Sequence, residues 1–244
     1  MLKELINIQK AIIAIAQIGF SLEGSDQHIR YMGKAKEKGA DIICFPEDFI
    51  SINDDYKDYI LEFFSPLCKK YEINAIIPIV TKDNEGLRKS ALVIDRNGHL
   101  IGIYNKQNLY DCEINDFVPG EAPGIFDLDF GRIGIIICFD IFSPAVIAQY
   151  VNQGVKIIFC PSNMVVSDIR YKNQQINAIN SIYTSIVFQA KCFFVTAMLN
   201  EKSLIAQSKI ISPEGVLSKT RNNQNRLLVQ EIDIQGLVLL DSLL

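Results

Sequence analysis

Several absences narrow the field before any motif is read. The 244-residue chain has two histidines and six cysteines. No two of those cysteines form a C-x-x-C pair, so a zinc site has no ligand cluster to rest on. No apolar run approaches the roughly 18 residues that a membrane helix needs, and no membrane partner is expected. Lysine and arginine are scattered, the net charge is −4 and the pI is about 5.3. That balance offers no basic patch to nucleic acid. No linker, repeat or low-complexity tract divides the chain, and 244 residues suit one large α/β domain, so 1–244 is read as one domain. The start, M-L-K-E-L-I-N-I-Q-K, is interrupted by Glu4 and followed by Gln17 without a small-residue cleavage site, which argues against a signal peptide. Several cysteines lie inside apolar strand text, where a free thiol behaves as a small hydrophobe. A reducing, cytoplasmic setting is therefore expected.

What is present is apolar and ordered in kind. The composition is 49% hydrophobic and 21% charged, which excludes intrinsic disorder. A mean hydropathy of +0.17 calls for a large isoleucine-rich core or an apolar face buried against a second subunit. A homodimer or larger homo-oligomer is expected.

Hydrophobic periodicity predicts a strand at 11–17, a helix from about Asp26 to Lys38 stopped by Gly39, and a strand at 41–45. A second helix carries the stripe Tyr56, Tyr59, Ile60, Phe63, Phe64, Leu67, Tyr71, with Pro66 as a kink or a new start. A strand at 73–80 follows. R-N-G between 90–95 and 99–104 is a hairpin signal, as is P-E-G within 207–218. Between the hairpins come the strand before Cys138, a helix, strand 155–160, a helix from about Asp168 to Ala190 and strand 192–198. Strands at 226–234 close the chain. Crossovers mixed with hairpins imply a layered α/β fold with mixed sheets.

Three strand-like segments end in reactive side chains. D-I-I-C-F-P-E ends at Glu47, H-L-I-G-I-Y-N-K at Lys106, and G-R-I-G-I-I-I-C-F-D carries Cys138. A strand that is apolar on both faces is buried and rigid. Its carboxyl end is where open α/β sheets place ligands. Carboxylate, ammonium and thiol brought together there would make an activated nucleophile. After Cys138, Ser143 can cap a helix and Pro144 suits its first turn. The resulting strand–turn–helix leaves backbone N–H groups near the thiol, able to stabilise an oxyanion. Taken singly, each residue has a plainer reading: a packing thiol, a solvated loop acid, a surface lysine. Asp48 is read as solvated loop.

These segments, with A-I-I-A-I-A-Q, E-I-N-D-F-V-P-G, S-K-I-I-S-P-E-G-V-L and L-L-V-Q-E-I-D, resemble the nitrilase superfamily of carbon–nitrogen hydrolases, in order and over nearly the whole chain. The resemblance implies a four-layer αββα sandwich with two mixed β-sheets. It implies a Glu-Lys-Cys triad of Glu47, Lys106 and Cys138, with Glu113 as an auxiliary acid that positions the lysine. It also implies at least a dimer. The expected activity is hydrolysis of a non-peptide C–N bond of a small amide, carbamoyl compound or nitrile through a Cys thioester. Phe139 is expected to supply an oxyanion N–H, and neither a metal nor an organic cofactor is required. Strand 155–160 should neighbour the Cys138 strand, so the residues after it, Pro161 to Met164 with Asn163 and Met164 among them, are expected to line the pocket. The sequence departs from the family pattern at Asn108, Phe142, Ser143, Ala145 and Gln189. Two other readings stand beside amide hydrolysis: a divergent homologue that binds a ligand or partner without turnover, and a transferase that passes the acyl group to an amine. A Cys-His hydrolase is the remaining class, but His28 and His99 end no strand near Cys138 and are expected on the surface.

Overall fold

In the computed structural model of the chain we describe residues 10–20, 25–48, 57–164, 168–201, 207–222 and 224–235. The elements are β1 (Lys10–Gln17), α1 (Ser25–Glu37), β2 (Ile42–Cys44), α2 (Lys57–Tyr71), β3 (Asn74–Lys82), β4 (Leu87–Ile94), β5 (Leu100–Asn105), β6 (Gly124–Leu128) and β7 (Gly131–Ile135). They continue with α3 (Pro144–Ala148), β8 (Ile157–Ser162), α4 (Lys172–Ala190), β9 (Phe193–Met198), β10 (Lys209–Ser212), β11 (Gly215–Lys219) and β12 (Arg226–Asp233).

The strands form two six-stranded sheets, in the orders β12-β1-β2-β3-β4-β5 and β11-β10-β9-β8-β7-β6. In the first, β1, β2 and β3 run parallel and the outer pairs antiparallel. In the second, β7, β8 and β9 are the parallel centre. The continuous apolar runs follow from burial on both faces. Along β1, Ile13 and Ile15 join Ile133, Ile135 and Phe159 in a layer between the sheets. Ala14 and Ala16, one residue out of phase, pack with Met32 of α1 and Phe64 of α2. Beyond the second sheet, α4 buries Ile179, Tyr183, Ile186 and Val187. The layers are therefore helix, sheet, sheet, helix. Two glycines permit the close approach of the sheets: a Cβ on Gly102 would sit 2.5 Å from the Phe126 ring, and one on Gly124 would sit 2.7 Å from the Tyr104 ring.

Several details differ from the sequence expectation. Two further hairpins exist, β3–β4 and β6–β7. Helix α2 runs through Pro66 as one element, with Ile60, Phe64 and Cys68 inward at four-residue spacing, whereas Tyr59 is exposed; Tyr56 lies outside the described residues. Helix α3 is only five residues long, because Tyr150 turns inward, donating to the Ile135 carbonyl (2.5 Å) and accepting from Gly124 N–H (3.0 Å). His28 is not a surface residue. It is 1% exposed and packs against Phe45 and Phe64 with ring centroids 5.5 and 5.7 Å away, and burial pushes its pKa down to about 4. The period-2 and period-3.6 patterns locate strands and helices but do not say which polar side chain on α1 faces the sheet. Among the described residues no helix is long and apolar enough to cross a membrane.

Candidate active site

The carboxyl ends of three strands converge. Beyond β2, Phe45 and Pro46 lead to Glu47, which is 3% exposed. Beyond β5 comes Lys106, 1% exposed. A 3₁₀ turn, Asp111–Glu113, then folds back so that Glu113 Oε2 accepts from Tyr110 N–H at 2.8 Å. Lys106 Nζ lies 2.9 Å from Glu47 Oε1 and 2.8 Å from Glu113 Oε2. The second oxygen of Glu47 accepts from Asn163 N–H at 3.0 Å, at the end of β8. Glu113, which from sequence alone could equally be a solvated loop acid, is thus buried on the lysine.

Cys138 stands past the end of β7, at the start of a 3₁₀ turn, Cys138–Phe142, that leads into α3. Its φ is +45°, a left-handed conformation that costs a non-glycine residue about 1–3 kcal/mol and persists only where the surroundings enforce it. Asp140 does the enforcing. It is fully buried. Its Oδ2 accepts from Ile137 N–H (2.8 Å) and Tyr104 Oη–H (2.7 Å), and its Oδ1 from Gln107 N–H (3.1 Å) and Asn108 N–H (2.7 Å). One carboxylate therefore clamps the cysteine turn to the segment that follows Lys106. Asn108 adds a second tie, donating from Nδ2 to the Phe139 carbonyl at 2.8 Å. Ser143 Oγ accepts from Val146 N–H at 3.4 Å, the cap expected from sequence.

The charges act on one another strongly. Burial pushes the Cys138 thiol well above its usual range. The Glu47 charge adds to this, and the Lys106 charge and Asn163 N–H oppose it. Burial likewise raises Glu47, with Lys106 opposing. Burial alone would lower Lys106, but Glu47, Cys138 and Glu113 outweigh it and raise the ammonium pKa. The resting pair is thus a neutral thiol beside a carboxylate with raised basicity, under a permanent cation. Burial also raises Asp140, against the opposing hydrogen bonds of its donors.

Glu47, Lys106, Cys138, Glu113, Phe139, Asn163 and Met164 all line one cavity of about 890 Å³, within the range of small-molecule sites. Pro161, also expected there, lies instead in β8, buried. The N–H of Phe139 falls in the first turn of the 3₁₀ segment, where helical turns leave N–H groups without an intrahelical partner. Tyr183 Oη–H donates to Met164 Sδ at 3.7 Å. Asn163 Nδ2 donates to Asp48 Oδ2 at 2.9 Å, which orients the side chain, and Asn163 Oδ1 is buried with no partner among the described residues.

Sequence reasoning passed over several members of this wall, Asp48 and Lys89 among them. Asp48 is half-buried with φ +57°. Burial would raise its pKa, but Lys89, Asn163 and Lys106 together hold it below the usual range. Lys89, on β4, pairs with Asp48 and lies 5.2 Å from the Phe117 ring centroid. Only the β4–β5 pairing, which sets Lys106 N–H on the Lys89 carbonyl at 2.8 Å, brings it here. Of the family departures, Phe142 lines the cavity, whereas Ala145 and Gln189 are exposed. Among the described residues no group of three or more histidine, cysteine or acidic side chains is arranged to hold a metal.

Comparison with known proteins agrees with this architecture. The chain is 28% identical over 221 residues to a nitrilase of Pyrococcus abyssi, covering 82% of this chain and 80% of that protein. It is 24% identical over 256 residues to the omega-amidase NIT2 of Bos taurus, covering 92% and 89%. Among solved structures, a carbon-nitrogen hydrolase from Helicobacter pylori superposes with a TM-score of 0.84 at 18% identity, covering 96% of this chain and 93% of that one. The amidase from Nesterenkonia, a mutant in complex with butyramide, superposes with a TM-score of 0.78 at 18% identity and covers 93% of each chain. At such identities the superpositions establish the fold. The carbon-nitrogen hydrolase family model matches residues 5–240, and the chain belongs to that family.

Proposed function

We propose that this thiol-dependent carbon–nitrogen hydrolase cleaves the C–N bond of small amides through a thioester on Cys138. One observation carries the reading: Glu47, Lys106 and Cys138, each from a different strand end, line one cavity, with Lys106 in ionic contact with Glu47. Glu47 takes the thiol proton as sulfur attacks the amide carbon. The raised basicity of this buried carboxylate suits the task. Lys106 and Phe139 N–H face the oxygen that gains charge. Glu113 holds the ammonium in place from the side opposite Glu47. As the tetrahedral species collapses, the C–N bond breaks and Glu47 gives its proton to the departing nitrogen. Water then loses a proton to Glu47 and attacks the thioester. The C–S bond breaks, the acid leaves, and the thiol recovers its proton. No step needs a metal or an organic cofactor.

Amides are favoured over nitriles because an omega-amidase and an amidase stand among the proteins the chain resembles. We read 1–244 as one domain of this type in a cytoplasmic setting, where its free cysteines stay reduced. Association into a homodimer or larger oligomer is part of the reading. Past Lys172, helix α4 carries no charged residue, and Phe188 on it is exposed, which suits a face covered by a second copy.

The test is ammonia release from a panel of simple amides by the purified chain and by Cys138→Ala and Glu47→Gln. Turnover by the parent, with a loss of at least about a thousandfold in both variants, is expected. Full activity in Cys138→Ala, or binding of amides without turnover by the parent, would refute hydrolysis at this site.

A further inference from the structure

The cavity walls say which acyl group the site takes. Both cations among the described residues that line it are committed. Lys106 is held by Glu47 and Glu113. Lys89 is paired with Asp48 and lies 4.0 Å from Glu113 Oε1. No arginine is among the described residues of the wall, and a fourth carboxylate, Glu201, adds to the negative side. A substrate carboxylate entering here would lose its water, find no free cation among the described residues and face these acids, a combination that costs binding heavily.

Much of the remaining described wall is apolar, with Tyr110, Phe139, Phe142, Met164, Ile179 and Leu199 beside the amides Asn163 and Gln175. Tyr110 and Phe139 meet edge to face with centroids 5.2 Å apart, and Phe139 and Phe142 lie 5.0 Å apart. Tyr110 and Phe142 are nevertheless 41% and 42% exposed. Large rings packed on each other yet open towards a cavity are apolar surface available to a ligand.

Building on the hydrolase reading above, we propose that the substrates are carboxamides whose acyl group is alkyl or aryl and larger than acetyl, and that acyl groups ending in a carboxylate are rejected. This would separate the chain from any enzyme that selects an amide through a second, anionic end.

The experiment compares acetamide, hexanamide, phenylacetamide and the monoamide of adipic acid, in which a carboxylate replaces the terminal methyl of hexanamide. Ammonia release by the parent gives kcat/KM. Calorimetry on the Cys138→Ala chain gives binding without turnover. The specificity constant should rise by about fourfold per added methylene, roughly 250-fold over the four methylenes from acetamide to hexanamide. The adipic monoamide should fall at least about a hundredfold below hexanamide, with the same order in binding to Cys138→Ala. A carboxylate-ended amide equal to or better than hexanamide, or no gain with chain length, overturns the proposal. If the parent turns over none of the amides while Cys138→Ala binds them in the expected order, hydrolysis is refuted and the substrate class stands. If turnover occurs in the opposite order, hydrolysis stands and the substrate class falls. If neither chain binds or turns over any of them, both are refuted.

Discussion

Replacing Asp140 by asparagine should loosen the site without touching a reacting group. The carboxylate accepts four hydrogen bonds, two on each oxygen. An amide nitrogen in place of Oδ1 would face two backbone donors, Gln107 and Asn108, that have no other option. In place of Oδ2 it would face Ile137 N–H and Tyr104 Oη–H, and the tyrosine hydroxyl can rotate to accept instead. The second orientation is cheaper and strands one buried N–H. The loss of one hydrogen bond to a charged acceptor, about 1.5–3 kcal/mol, joins the cost of leaving that donor unpaired, about 1–3 kcal/mol. The expected destabilisation is about 3 kcal/mol, a fall in Tm of about 6–12 °C for a chain of this size. The stranded group belongs to the residue before Cys138, whose positive φ depends on the clamp. A displacement of the sulfur by about 1 Å costs on the order of a hundredfold in rate. Scanning calorimetry and kcat/KM on an amide substrate measure both. A Tm within about 2 °C of the parent with unchanged kcat/KM would refute the clamp.

Two further outcomes follow from the charges. Burial raises Glu47, so the acid limb of the kcat/KM profile should lie above the ordinary carboxylate value of about 4.3, with activity lost as Glu47 takes up a proton. The alkaline limb, set by the buried Cys138 thiol, should lie above the ordinary range of a free thiol. An acid limb at or below the ordinary value would contradict the assignment. His28, pushed down to about 4 from 6.5, protonates in the unfolded chain before the folded one. Its contribution to stability is present above pH 6.5 and is lost as pH falls towards 4, by about 3 kcal/mol in all. Denaturant melts across that range should show the loss in the parent and a flatter profile in His28→Phe; equal slopes would show that another group is responsible.

The sequence made the layered fold and the strand ends legible because both depend on local text. Wholly apolar runs such as I-G-I-I-I before Cys138 and D-I-I-C-F before Glu47 announce buried strands. A turn signal such as R-N-G announces a hairpin, and the order of the motifs supplied the sandwich. The rest depends on contacts between segments far apart in the chain. Lys89 reads as one more exposed strand lysine until β4 pairs with β5. Asp48 reads as loop until Lys89 and Asn163 close on it. Asp140 closes the C-F-D text after the third strand, but its four donors come from segments up to 36 residues away and no spacing rule reveals them. The β6–β7 hairpin turns at Asp129–Phe130–Gly131 and carries a weaker version of the signal that marked β4–β5. His28 sits in helical text whose polar and apolar faces are blurred by the lysines around it.

The reading rests on a covalent bond between substrate carbon and the sulfur of Cys138. Rapid acid quenching of the chain during amide turnover, followed by peptide mass spectrometry, tests it most directly. The peptide containing Cys138 should gain the mass of the acyl group, reach a steady level within the first turnover, and show no such gain in Cys138→Ala. An acyl group found instead on the exposed Cys112, or steady ammonia release from Cys138→Ala, would contradict the account.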